Sequence, residues 1–329
     1  MIFTWNNLAW KEWGRIQGRL PHAVLITAGE GMGAFEFAQE VAQAALCERP
    51  QTDLRACGAC PACHWFAQGN HPDYRLLVPE SMAPESEGEG EPARKEKGSE
   101  QIRIEQVRVL FDFLAVGTHR AGLRVILIYP AEAMNVNTQN ALLKNLEEPP
   151  LATLFLLAGT RPDRLLATVR SRCLKFALPP PDAVLASKWL EEQGVARPEA
   201  ALAGAGGAPL SALKLAESEA ERKRFLEGLQ NPRFDPIFLA EQHQRVPPED
   251  LVAWLQRWCY DLLLARVAGR VRYHVDDKQA IADASRTCEG ADIAAYLRGL
   301  ARARGLAQHP LNAKLFVEDL LLKYRKLFV

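Results

Sequence analysis

The sequence carries no excess of charge of either sign: 40 Lys and Arg stand against 40 Asp and Glu in 329 residues, a formal net charge of +0. An autonomous binder of duplex DNA usually shows a basic face or a high pI, so this balance argues against one, while leaving room for local patches. No stretch approaches 18 consecutive apolar residues, and no membrane-spanning helix is expected. Met1 to Trp13 lacks the basic segment and apolar core of a secretory signal. Cysteine is sparse outside one cluster: four of the seven fall between Cys47 and Cys63. That usage, without an export signal, predicts a reducing cytoplasm. With 48% apolar residues the chain can bury substantial cores, in two or three domains.

The chain is organised around Arg124 to Phe176. Val125-Ile126-Leu127-Ile128-Tyr129 has the length and β-branched content of a buried strand. Asn140 to Glu148 reads as a helix with Leu142, Leu143 and Leu146 on one face, stopped by Pro149-Pro150. A second apolar run, Leu154 to Ala158, follows. Strand, helix, strand with short connections predicts a βαβ unit of a parallel sheet.

What is missing from the glycine turn limits its chemistry. Leu20 to Thr27 reads as a turn feeding a short strand, and Ala28-Gly29-Glu30-Gly31-Met32-Gly33-Ala34-Phe35 leads into a helix running to about Cys47. A working P-loop in this place needs a lysine for the β/γ-phosphates and a Ser or Thr for the magnesium ion. Ala34 and Phe35 hold those positions, so the turn can persist while the phosphate chemistry is lost. A Walker B strand ends in Asp-Glu; here Tyr129-Pro130-Ala131-Glu132 follows the strand, with no carboxylate directly after it.

Cys47, Cys57, Cys60 and Cys63 combine two overlapping C-x-x-C steps with a fourth cysteine upstream. Four thiolates suit a closed tetrahedral Zn2+ site with no open position for catalysis. A redox dithiol would not need the other two cysteines. His64 is read as a surface or supporting residue. Without a basic cluster or aromatic series nearby, the module reads as a folding staple or partner contact rather than a nucleic-acid binder.

His71 and Asp73 are expected to hydrogen-bond locally in a turn before the strand Arg75-Leu76-Leu77-Val78. Glu80 to Glu100, dense in Glu, Gly, Ser, Pro and Lys, predicts a disordered surface insertion. Val107, Leu110, Phe111 and Leu114 then recur at helical spacing. Pro179-Pro180-Pro181 marks a boundary. Beyond it everything reads helical, including an apolar stripe of Leu251, Trp254, Leu255, Trp258 and Leu262. A last helix is expected from Pro310, with Leu311, Leu315, Asp319 and Leu322 in series.

The phrase Asn140-Ala141-Leu142-Leu143-Lys144 with Leu146-Glu147-Glu148-Pro149-Pro150, followed by Ser171-Arg172-Cys173, resembles the clamp-loader AAA+ family of bacterial DNA replication, and within it the delta-prime branch. His309-Pro310-Leu311-Asn312 and Leu320-Leu321-Leu322 resemble the family's C-terminus, so the likeness spans the chain. It implies an α/β plus all-α protein. An AAA+ RecA-like parallel-sheet domain (1–178) would carry the zinc module (47–63) and the insertion (80–100), followed by a helical lid (179–220) and a helical collar (221–329).

The resemblance also implies roles. Arg172 would be an arginine finger reaching ATP bound by a neighbouring subunit, with Ser171 and Arg170 in support; on spacing alone Arg172 is an ordinary surface or capping arginine. Cys173 reads as a small buried residue. The arginine that AAA+ lids carry is replaced by Leu210, a third departure that argues against ATP hydrolysis by this chain. Implied partners are the gamma/tau ATPase and delta subunits, with the sliding clamp and primer-template DNA met through the assembly. An active gamma-like ATPase and a zinc-dependent nucleic-acid-binding protein are the rival readings.

Overall fold

The apolar runs form the centre of a five-stranded parallel sheet: β1 (Ala23–Thr27), β2 (Tyr74–Leu77), β3 (Arg124–Ile128), β4 (Thr153–Gly159) and β5 (Leu174–Ala177), in the order β2-β3-β4-β1-β5. β3 and β4 are buried along their whole length because helices cover both faces. These helices are α1 (Asn7–Ile16), α2 (Ala34–Leu46), α3 (Pro61–Ala67), α4 (Ile104–Ala115), α5 (Val136–Glu147) and the single-turn α6 (Ala167–Arg170). On one face Val24, Ile26, Val125, Leu127 and Leu156 join Trp10, Trp13, Phe37 and Val41 of α1 and α2. On the other, Leu25, Ile126, Phe155 and Leu157 join Val107, Leu110, Leu142, Leu146 and Val169 of α4, α5 and α6. Each fully buried aliphatic side chain contributes about 1.5–3 kcal/mol, so both layers depend on the pleat's alternation.

The computed structural model describes residues 3–16, 21–83, 99–115, 122–231, 233–307 and 312–328, in two compact units, Met1–Asp182 and Ala183–Val329. The boundary falls just past the proline run.

Several elements differ from the sequence expectation. α5 starts four residues before Asn140, capped by Asn135, whose Oδ1 accepts from the Thr138 N–H at 2.9 Å. Its polar first turn is helical because Thr138 and Gln139 point inward and find backbone partners: Thr138 Oγ1 donates to the Ile102 carbonyl and Gln139 Nε2 to the Met134 carbonyl. β5 escapes a periodicity reading because it is a four-residue edge strand with only Phe176 turned inward. Most of the predicted insertion, residues 84–98, lies outside the described residues. Its margins form a turn: Ser81 N–H donates to the Ser99 carbonyl, and Glu80 accepts from Ser99 N–H and pairs with Arg103 at 3.4 Å.

The second unit is all helical: α7 (Ala183–Glu192), α8 (Pro198–Gly204), α9 (Pro209–Glu217), α10 (Glu219–Gln230), α11 (Pro236–Gln242), α12 (Pro248–Ala268), α13 (Lys278–Arg286), α14 (Gly290–Leu306) and α15 (Ala313–Arg325). It holds two apolar clusters. A small one joins Ala186, Leu190, Leu202 and Ala212. The larger centres on Trp258 and includes the whole predicted α12 stripe. Trp258 Nε1 donates to Tyr324 Oη at 2.8 Å, and Tyr324 Oη donates to the Leu229 carbonyl, so α10, α12 and α15 share one buried hydrogen-bond chain. α15 begins after Asn312, and Pro310 and Leu311 lie outside the described residues. The expected series does not form its core face: Leu315 and Leu322 are exposed, while Val317, Leu320, Leu321 and Tyr324 point inward. Among the described residues no helix is long and apolar enough to cross a membrane.

Candidate functional site

The strand ends β1, β3 and β4 bring the glycine turn, Tyr129 and Thr160 to one edge of the sheet, where open α/β folds place their ligands. Gly31 and Gly33 both have positive φ, and Gly33 (φ 91°) is the N-cap of α2, a left-handed position that suits glycine. The turn is there, and residues N-terminal to α1 pack against it. A Cβ on Gly33 would stand 3.1 Å from the Phe3 ring and 3.3 Å from Asn6 Nδ2. Phe3 stacks on Trp5, and Trp5 Nε1 donates to the Met32 carbonyl. Phe3, Trp5 and Asn6, just before α1, thus lie against the glycine turn.

The two positions that would meet magnesium are aromatic and in contact. Phe35 stacks on Tyr129, centroids 4.6 Å apart. Burial first, then the charges of Glu36, Glu132 and Glu30, push the Tyr129 phenol above its usual range. Glu132 does not face this gap as a free carboxylate. Its Oε1 accepts from Thr160 N–H (2.9 Å), Thr160 Oγ1 (2.8 Å) and Arg161 N–H (3.1 Å), fastening the loop after β4. In α9, Leu210 offers no charge.

The four predicted cysteines come together. Cys47 caps the C-terminus of α2, Cys60 caps the N-terminus of α3, and all four sulfurs lie within 4.8 Å of one another. Cys47 and Cys60 are 3.9 Å apart, Cys57 and Cys63 4.0 Å. Thiolates about 2.3 Å from a tetrahedral zinc ion define edges of about 3.8 Å, so the donor set fits the metal. Burial pushes the Cys63 thiol up to about 12. Burial also acts to raise Cys60, but the backbone N–H groups of Cys63 and Glu48 and neighbouring thiols outweigh it and pull that thiol down to about 6. His64 is exposed and outside the cluster. His71 and Asp73 form the expected local turn, with Asp73 N–H donating to His71 Nδ1 at 3.1 Å.

Arg172 follows α6 and is about one-third exposed. Its Nη1 donates to the Thr168 carbonyl at 2.9 Å, and its Nη2 lies 2.5 Å from Glu147 Oε1 at the end of α5. Ser171 Oγ donates to the same Thr168 carbonyl, making it a local cap of α6. Arg170 is half-buried. Cys173 is buried, and burial pushes its thiol up to about 11, which suits an inert packing residue.

Residues 10–182 match the family described as DNA polymerase III, delta subunit. The delta-prime subunit of Pseudomonas aeruginosa is 36% identical over 271 residues, 80% of this chain and 77% of that one. The chain belongs to the DNA polymerase III delta-prime family. The delta-prime subunit of Escherichia coli is 30% identical over 317 residues, 93% of this chain and 89% of that one. The tau subunit of the same bacterium is 32% identical over 161 residues, 49% of this chain and 22% of that one. Family membership makes this chain a delta-prime-like clamp-loader subunit of DNA replication, built on a parallel sheet with flanking helices.

Two contributors to the site had no signal strong enough to assign from sequence. The N-terminal aromatics Phe3 and Trp5 were visible, but their seat on the glycine turn depends on tertiary packing. Glu147 was visible as part of the Leu-Glu-Glu-Pro-Pro phrase; its pairing with Arg172, 25 residues on, was not.

Proposed function

We propose that this chain is the non-hydrolysing member that closes the ring of clamp-loader subunits and supplies Arg172 in trans to ATP bound by a neighbour. The observation that carries this reading is the state of the Arg172 guanidinium. At most two of its five N–H groups are engaged among the described residues, leaving at least three for a phosphoryl oxygen. A cation so placed stabilises charge developing on a transferred phosphoryl group. Ala34 and Phe35 in the template positions and the Phe35–Tyr129 stack support the absence of ATP chemistry in the chain itself.

The partners are the gamma/tau and delta subunits, with sliding clamp and primer-template DNA engaged through the assembly in the cytoplasm. The cysteine module holds zinc as a folding staple, and the helical unit serves as lid (179–220) and collar (221–329).

The test is steady-state ATPase of the reconstituted clamp loader, with clamp and primed DNA, for wild type and Arg172→Ala. An arginine finger is worth on the order of 10³ or more at one site, diluted by intact neighbouring sites. Activity should fall with assembly unchanged. Wild-type ATPase and clamp loading in the variant would reduce the chain to a scaffold.

A further inference from the structure

Arg172 does not reach outward alone; a carboxylate from another helix of the same unit meets it. Glu147 is the last residue of α5, and its backbone is held on both sides. Leu146 packs in the core and its carbonyl accepts from His22 Nε2 at 2.8 Å. Glu148 N–H closes the helix on the Lys144 carbonyl, and Pro149 prevents it from continuing. Arg172 is fixed in the same way. Its N–H donates to the Val169 carbonyl, and Val169 and Cys173, on either side, are buried. The two helices are also bolted at their other end. Gln139, buried at the start of α5, accepts from Leu166 N–H at 2.7 Å through Oε1, just before α6. Glu147 and Arg172 therefore meet between two rigid mounts, at a separation of 2.5 Å.

We propose that Glu147 is a positioning residue for Arg172. With the Thr168 carbonyl it holds two corners of the guanidinium, so that the remaining N–H groups face away from the unit, toward a phosphoryl oxygen of a nucleotide held by another chain. This rests on the arginine-finger reading. Both partners are partly exposed, and pairs of this kind add little to folding stability. Orientation is a different matter. A long, flexible side chain left unguided samples many rotamers, and a misplacement of about 1 Å in a catalytic group can cost on the order of 10²-fold in rate. Glu147 thus acts on the finger rather than on the fold, and Gln139 serves the same end by fixing the spacing of the mounts.

The experiment compares Glu147→Ala, Glu147→Gln, Arg172→Ala and the double alanine variant in the reconstituted clamp loader with clamp and primed DNA, following kcat and KM for ATP. Assembly and thermal unfolding are checked for each. Glu147→Ala should lower kcat at the finger-served site by roughly tenfold or more, with KM for ATP unchanged. Gln, which keeps an acceptor oxygen, should recover part of the loss, and Glu147→Ala should have no further effect once Arg172 is alanine. A kcat at or above wild type for Glu147→Ala, while Arg172→Ala is impaired, overturns the positioning role and leaves the finger standing. An equal loss from Glu147→Ala in the Arg172→Ala background also overturns it, since Glu147 would then act on something else. If Arg172→Ala is itself unimpaired, the finger reading fails and this inference with it.

Discussion

Phe35 and Tyr129 stack at 4.6 Å with their planes 29° apart, one at the head of α2 and the other just past β3. In a working nucleotide site these two places hold a magnesium-binding hydroxyl and a carboxylate facing each other across a small polar gap. Here the aromatic stack takes up that place, and the charges of Glu36, Glu132 and Glu30 add to burial in raising the Tyr129 phenol. On the proposed reading, the loss is built into the packing and not confined to one missing lysine.

Titration of magnesium-ATP into the isolated chain should accordingly show no binding tighter than about 1 mM. Restoring the template side chains with Ala34→Lys and Phe35→Thr should leave hydrolysis at background, because Tyr129 and Pro130 still stand where the Asp-Glu pair belongs. Saturable micromolar binding by the wild-type chain would contradict both expectations.

Gly33 gives a complementary test, because its role is backbone geometry and not phosphate contact. Its φ of 91° is costly for any other residue, and an added Cβ would press on Phe3 and Asn6. Gly33→Ala should destabilise the N-terminal unit by about 1–2 kcal/mol with no nucleotide present. Calorimetry reads this as a drop of several degrees in that unit's transition. An unchanged transition would mean the turn adapts freely and the N-terminal aromatics are not seated on it.

Much of this architecture was legible because burial on both faces of a parallel sheet leaves near-continuous apolar runs, as in Ile126 to Ile128 and Leu154 to Ala158. The cysteine cluster was legible because ligand count and spacing constrain a tetrahedral site more than the fold does. The first turn of α5 was not, since Thr138 and Gln139 are polar residues buried against backbone partners, and polarity alone reads as loop. β5 was hidden by its single inward residue. The α15 series did not tell an exposed stripe from a core one: Leu315 and Leu322 lie on the outward face, while Val317, Leu320, Leu321 and Tyr324 point inward. The Glu147–Arg172 pair depends on how two helices are mounted, which no local pattern encodes.

The tetracysteine cluster predicts about one zinc ion per chain by metal analysis. Thiolates bind the metal and thiols do not, so the ion should be retained at neutral pH and released as the solution is acidified. Cys60→Ser removes a buried ligand that also caps α3. It should lose the metal and lower the stability of the N-terminal unit, leaving α12 amide exchange in the other unit unchanged. Full zinc content in Cys60→Ser would show that the four sulfurs do not act as one site.

Asp261 anchors the helical unit through a fully buried carboxylate. Its oxygens accept from the N–H groups of Arg272, Tyr273 and His274 and lie 2.9 Å from His274 Nδ1, so one side chain on α12 ties down the segment that leads to α13. Burial would raise its pKa, but the His274 hydrogen bond and the backbone N–H donors outweigh it, and the carboxyl titrates below its ordinary 3.8. A carboxyl depressed on folding stabilises the native state fully above the unfolded value, and that contribution disappears as pH falls through the folded one. The Asp261 contribution should therefore be constant from neutrality to about 5 and fade below roughly 4. Asp261→Ala orphans three donors and should cost about 3–5 kcal/mol at neutral pH, read as faster hydrogen exchange along α12, with the acid-induced loss reduced. If the variant exchanges like wild type at neutral pH, the nest of N–H groups finds other partners and the carboxylate is not the anchor.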